Sequence, residues 1–152
     1  MMHEVASIVI NCPVEEAYRF LSDPQNRLKY DPDLIAIRHT PEGLLRLGTQ
    51  IVESRRFMGR KGKSVTEVSE LEPNRVIGYR SPMGDPTNAF GAYHFDSVPE
   101  GTRLTLDFTL APRGLIKLAV PFIGRRLRQD IAAGLQNIKA VLENQSSTDK
   151  PR

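Results

Sequence analysis

Few residues in this 152-residue chain have the type and spacing to do chemistry. Its three histidines, His3, His39 and His94, lack metal-ligand spacing, and a single cysteine, Cys12, cannot complete a thiolate site. The chain also has no glycine-rich phosphate loop, no G-x-S-x-G and no H-E-x-x-H. Neither a metal nor a cofactor is expected. His94 and Asp96, two apart on a strand, have the composition of a base with its orienting carboxylate. The residues alternating with them, Tyr93 and Phe95, suit a dry face better. That sends His94 and Asp96 towards solvent, beside Arg103 and Thr105. Cys12 stands where a strand meets Pro13, with no base evident nearby, and reads as a small packed thiol rather than a nucleophile.

More telling are the polar residues in phase with apolar ones. Tyr79 alternates with Ile77, and Tyr93 with Phe95, so both phenols are expected to point inward, either into a cavity or as core tyrosines with backbone partners. In T-Q-I-V-E-S-R-R-F-M (49–58) the phase is ambiguous. If Ile51 and Phe57 face in, so do Glu53 and Arg55, placing an ion pair inside. If Val52 and Met58 face in, both charges are solvated, which is the commoner fate of such residues.

The elements that must position these groups follow from periodicity and chain breakers. Val5 to Ile10 is β-branched and stops at Pro13, and Val14, Ala17, Tyr18 and Leu21 then mark one face of a short helix ended by Asp23-Pro24. Gln25 to Tyr30 predicts a second short helical turn. From Leu34 the period becomes two, with strands at about 33–39, 48–58, 63–72, 75–81, 89–97 and 102–111, separated by turns rich in glycine, proline and asparagine. In R-L-T-L-D-F-T-L, Leu104, Leu106, Phe108 and Leu110 share one face. Beyond Pro112 the helical period returns as a stripe of Leu127, Ile131, Leu135, Ile138 and Leu142. A polar tail, residues 144–152, is expected to be flexible.

The chain is long enough for one domain with a real core. Its formal charge of +3 does not by itself imply nucleic acid. A lone cysteine and the absence of a signal-peptide pattern suggest a reducing, cytoplasmic setting. R-G-L-I-K-L-A-V-P-F-I-G-R-R-L-R (113–128) is too interrupted, at Lys117, Pro121 and Gly124, to cross a bilayer. An α+β chain with a seven-stranded antiparallel sheet and one dry face needs a cover, and the C-terminal helix is the element able to supply it. A strongly curved sheet wrapped round a helix leaves space between them.

This order resembles the START-related (SRPBCC) superfamily, the polyketide cyclase/dehydrase-like proteins with the helix-grip fold (β-α-α-β6-α). The resemblance rests on I-V-I-N-C-P-V-E-E-A-Y-R-F-L-S-D-P (8–24), V-S-E-L-E-P-N-R-V-I-G-Y-R-S (68–81) and E-G-T-R-L-T-L (100–106). It implies a single START-related ligand-binding domain over residues 1–143. Members commonly carry a Trp shortly after the Asp-Pro; this chain has no Trp, and Tyr30 stands near that place. The resemblance further implies a cavity between sheet and helix, for which Tyr79, Tyr93, Phe95, Leu106, Phe108, Leu127, Ile131 and Leu135 are the candidate ligand-binding residues.

In an antiparallel meander alternate turns share one end of the sheet, so M-G-R-K-G, S-P-M-G-D-P-T-N and A-P-R-G-L-I-K are expected to cluster. In the family the cavity opens at that end. Arg55, Met83, Leu115, Leu118 and Phe122 would then rim its mouth among the basic residues of 55–63 and 113–128, with Leu115 to Ile123 as a short turn or flap bent at Pro121 and Gly124. Such a rim suits an amphipathic ligand with an anionic group or transient contact with an anionic membrane; nucleic acid is not expected, for want of a binding module or stacking aromatics. Three functions are compatible: binding or transport of a hydrophobic or amphipathic small molecule (lipid, isoprenoid or polyketide-like), polyketide cyclase/dehydratase chemistry in the same cavity, or a protein-interaction scaffold. The first needs only shape and apolar lining; the second lacks a clear catalytic motif, with Tyr79, Tyr93, Glu53 and Arg55 its candidates. Oligomeric state is not legible.

Overall fold

The computed structural model describes residues 1–57 and 59–149, the side chains of residues 146–149 excepted. Seven strands, β1 (Met2–Ile10), β2 (Leu34–Thr40), β3 (Gln50–Phe57), β4 (Arg60–Glu72), β5 (Val76–Arg80), β6 (Ala89–Val98) and β7 (Gly101–Leu110), form one sheet. Every pairing is antiparallel, in the order β1-β7-β6-β5-β4-β3-β2. Helix α1 (Val14–Leu21), a 3-10 turn (Pro24–Asn26) and helix α2 (Arg27–Tyr30) lie between β1 and β2. A second 3-10 turn (Gly114–Ala119) leads from β7 into the long helix α3 (Val120–Asp149). This is the expected helix-grip order.

The sequence explains the corners. The Asp23 carboxylate accepts from the backbone N–H of Gln25 and Pro24 opens the turn, so the chain leaves α1 through a capped corner that delivers α2 beneath the sheet. In E-G-T, Gly101 has φ +136, and a Cβ there would lie 2.4 Å from the Ile10 carbonyl oxygen, so only glycine fits. Thr102 next to it is buried and donates its hydroxyl to the Cys12 carbonyl at 2.8 Å. The register of β4 on β5 shifts between Val68 and Glu70, a bulge of the kind that bends a sheet.

α3 is held at several points. Lys139 donates to the Val9 carbonyl at 2.7 Å, Glu143 accepts from the Asn11 N–H at 2.8 Å, and the Asn137 amide donates to the Tyr30 carbonyl at 3.0 Å. The core gathers Ile10, Ala17, Phe20, Leu21, Ile51, Val68, Ile77, Phe95 and Leu104 from the sheet and α1 against Leu135, Ile138 and Leu142 of α3.

Two features differ from expectation around α3. Pro121 and Gly124 do not bend a flap: Pro121 lies in the first turn of α3, where a missing N–H breaks no helical bond, and Gly124 is buried within the helix. Only Gly114–Ala119 forms a separate turn. Helical backbone also continues past Glu143 to Asp149, while Lys150 to Arg152 lie outside the described residues. Among the described residues no helix is long and apolar enough to cross a membrane.

Candidate functional site

A cavity of about 340 Å³ lies between the sheet and the N-terminal half of α3. Its apolar lining comes from Leu106 and Phe108 on β7, Phe90 on β6 and Leu127, Ile131 and Leu135 on α3. Strand alternation sends Leu106 and Phe108 to one face. The α3 stripe brings Leu127, Ile131 and Leu135 above them. Small residues, Ala133 and Gly134, help keep the roof thin, and a Cβ added at Gly134 would meet nothing within 4 Å.

One wall is polar. β3 turns Ile51, Glu53 and Arg55 inward, and α2 brings Arg27 and Tyr30 to meet them. Both charges therefore face inward, Glu53 buried and Arg55 half-buried. The physical reason is the partner that the sequence of β3 does not reveal: Arg27 donates from Nη1 to Glu53 Oε1. Arg55 donates to Glu53 Oε2 through Nε at 3.0 Å and Nη2 at 2.7 Å, and to Asp31 Oδ2 at 2.7 Å. Two cations and two anions balance. The alternative inward phase included Met58, which lies outside the described residues. Exposure rises from 8% for the Glu53 side chain to 32% for Arg55, so the network runs from the interior towards the rim.

The tyrosines complete this wall. The Arg27 guanidinium sits 5.3 Å from the centre of the Tyr79 ring, a cation over a π face. Burial pushes the Tyr79 phenol up to about 12, with Arg27 pulling the other way. Burial and then neighbouring Tyr30 push Tyr93 up as well. Burial alone would raise the Glu53 carboxyl, but Arg27 and Arg55 outweigh it and hold it below its usual range. For Arg27 burial acts against the charge, and Tyr30, Tyr79 and Glu53 together more than restore it. The Thr66 hydroxyl, also on the cavity wall, is the one buried side-chain polar atom without a hydrogen-bond partner among the described residues.

Of the residues singled out from sequence, Tyr79, Tyr93, Leu106, Phe108, Leu127, Ile131, Leu135 and Arg55 line this cavity. Phe95 does not: it is buried in the core, edge-on to Tyr18 at 5.5 Å between ring centres. Met83, Leu115, Leu118 and Phe122 are also outside the lining, on the outer surface. His94 and Asp96 are exposed. Cys12 is buried, and its thiol is pushed up to about 11, first by burial and then by Glu16 and Glu143. Among the described residues no group of three His, Cys, Asp or Glu side chains is placed to hold a metal. Sequence reasoning missed Arg27, Asp31 and Thr66 and gave Tyr30 only a packing role. The available signal was Arg27 and Tyr30 three apart on one short helix, which puts both on the same side.

Solved structures share this architecture at low identity. The Thermus thermophilus protein TTHA0849 superposes with a TM-score of 0.80 at 20% identity, over 95% of this chain and 99% of that one. The Zhui aromatase/cyclase of a Streptomyces species gives 0.77 at 16% identity, over 95% of both chains. The di-domain aromatase/cyclase StfQ of the steffimycin biosynthetic pathway gives 0.77 at 15% identity, over 95% of this chain and 52% of that one. Comparison with curated protein sequences finds no match. The family described as polyketide cyclase / dehydrase and lipid transport matches residues 1–143, and with the cavity and the helix-grip order in place the chain belongs to that family.

Proposed function

We propose that the protein binds a hydrophobic small molecule of polyketide or lipid type in the cavity beneath α3, with a neutral carbonyl or hydroxyl group of the ligand turned to the polar wall. The observation that carries this reading is an apolar cavity with the unpartnered Thr66 hydroxyl in its wall. A volume of about 340 Å³ falls within the range of small-molecule sites. The wall's cations are already balanced by Glu53 and Asp31, so it favours a neutral hydrogen-bonding group over the anionic group that the basic residues suggest from sequence.

Binding is favoured over catalysis because the buried wall groups hold their protonation states: the phenols of Tyr79 and Tyr93 are pushed up, and Glu53 stays ionised between two guanidinium groups. Among the described residues neither histidine nor cysteine lines the cavity. A second reading, cyclisation or dehydration of a polyketide-like chain with Tyr79 and Tyr93 as hydrogen-bond donors, draws on the family's description and on the aromatase/cyclase names among the similar structures.

The test is displacement of an environment-sensitive apolar dye by polyaromatic ketones. Ile131→Trp, which fills the cavity, is expected to abolish dye binding, and Thr66→Val to weaken ketone affinity about fivefold, as loss of one hydrogen bond does. Dye binding unchanged by Ile131→Trp would sink the cavity reading. Turnover of a poly-ketone substrate that falls in a Tyr79→Phe, Tyr93→Phe double variant would favour the enzymatic reading; full turnover in that variant would remove the phenols from the mechanism.

A further inference from the structure

The outer surface of the turn Gly114–Ala119 and the start of α3 is apolar in a way that the cavity does not use. Leu115, Leu118 and Phe122 are 85%, 72% and 84% exposed, and Met83 on the β5–β6 loop is 96% exposed. The two segments are tied together: the Arg113 N–H donates to the Pro86 carbonyl at 2.8 Å and the Ala111 N–H to that of Asn88 at 3.2 Å. Spacings of three and four place Leu115, Leu118 and Phe122 on one side of a helical path. Side chains this exposed project outward instead of lining a groove.

Cations flank them. Arg113, Lys117 and Arg125 are exposed and have no ion pair among the described residues. By contrast Arg126 is paired with Asp130 at 3.1 Å and Arg128 with Glu4 at 2.9 Å, so the basic run RRLR is partly neutralised. No acidic residue occurs between Ala111 and Gln129. Exposed Arg56, Arg60, Lys61 and Lys63, on the β3–β4 hairpin at the same end of the sheet, add to the charge.

We propose that this face, centred on Leu115, Leu118 and Phe122, docks the protein on an anionic lipid surface, with the apolar side chains entering the interface and Arg113, Lys117 and Arg125 meeting headgroup phosphates. Projecting apolar side chains ringed by unpaired cations match the two requirements of reversible interfacial binding. Phe122 and the cavity-lining Leu127 are five residues apart on α3, roughly 7.5 Å along the helix axis. Docking therefore brings the cavity close to the bilayer. The inference is independent of what the cavity holds, since vesicle binding is read without a ligand.

Co-sedimentation with vesicles of equal parts phosphatidylcholine and phosphatidylglycerol tests it. The protein is expected to pellet with these vesicles and not with phosphatidylcholine alone. A Lys117→Glu, Arg125→Glu variant is expected to partition at least about tenfold less, and raised salt to weaken binding of the unaltered protein. A Leu115→Ser, Leu118→Ser, Phe122→Ser variant should lose pelleting while keeping its circular dichroism and dye binding. The charge-reversed variant, which alters only exposed side chains, keeps the test decisive if the apolar variant fails to fold. Absence of pelleting with anionic vesicles overturns the proposal, as does pelleting that survives both sets of substitutions. A dimer in sedimentation velocity that the serine variant dissociates would assign the face to a second copy of the chain and overturn it equally.

Discussion

The two halves of α3 meet the same sheet in different ways. Towards its C-terminus, Leu135, Ile138 and Leu142 are buried against Ile10, Ile77, Phe95 and Leu104, and Lys139 and Glu143 clamp the helix to the end of β1. Towards its N-terminus, Leu127, Ile131 and Gly134 roof a cavity whose opposite wall carries Arg27, Glu53, Arg55 and three tyrosines, Tyr30, Tyr79 and Tyr93. One helix with one repeating stripe thus serves as core at one end and as a lid at the other. What differs is the opposing layer. Where sheet and α1 present only apolar side chains the gap closes; where α2 and β3 present a linked set of charges, closing it would require stripping those groups of their remaining solvent.

The comparison breaks most visibly at Glu53. Replacing it with Gln leaves Arg27 and Arg55 beside a neutral partner, and a loss of about 3–5 kcal/mol is expected by chemical denaturation. A loss below about 1 kcal/mol would mean that the network is solvated and no different from a surface pair. The pH dependence has a definite sign. The folded carboxyl is held below its ordinary value of 4.5, so its stabilisation is present above that pH and is lost as the pH falls through the folded value. The Gln variant should show a shallower decline of stability on the acid side.

Core and roof should separate next. Leu142→Ala is expected to cost about 2–5 kcal/mol, because it leaves a void in a filled layer. Ile131→Ala, four residues from Leu135 on the same stripe, enlarges a space that already exists and should cost less than about half as much, while dye affinity falls. Equal costs would show that the roof is packed like the core. The smallest effect sharpens the contrast from the other direction: Gly134→Ala puts a methyl into open space and improves helix propensity, so a gain of about 0.5–1 kcal/mol is expected. For a chain of this length that is a rise in Tm of roughly 1–4 °C.

Much of the fold was legible residue by residue. The alternation of Leu104, Leu106, Phe108 and Leu110, the Asp23-Pro24 corner and the E-G-T turn each correspond to a local steric or hydrogen-bonding demand, and local demands can be read locally. The apolar side of the cavity was legible for the same reason, because phase along a strand or helix determines which side chains share a face. The polar wall was not. In β3 either phase was consistent with the residues of β3 alone, and Arg27, which settles it, lies 26 positions earlier on a four-residue helix. Thr66 was invisible for a related reason: a threonine on a strand is ordinary until its neighbours are known to leave its hydroxyl unpartnered.

The outer face divides in the same way. That Leu115, Leu118, Phe122, Lys117 and Arg125 are apolar and basic was plain from sequence; that they face away from the cavity was not. Pro121, read as a bend, starts a helix instead, since the first turn has no hydrogen bond for proline to break.

By itself, then, the sequence determined the order of elements, the dry face of the sheet and the stripe of α3, because each depends on interactions within a few residues or on strict periodicity. Only the tertiary structure decided that Glu53 and Arg55 are interior, that their charge is cancelled by Arg27 and Asp31, and that Phe95 belongs to the core. Those outcomes depend on which distant groups are brought within hydrogen-bonding or packing distance. A buried charge is stable only beside its partner, and that partner is chosen by the folded chain.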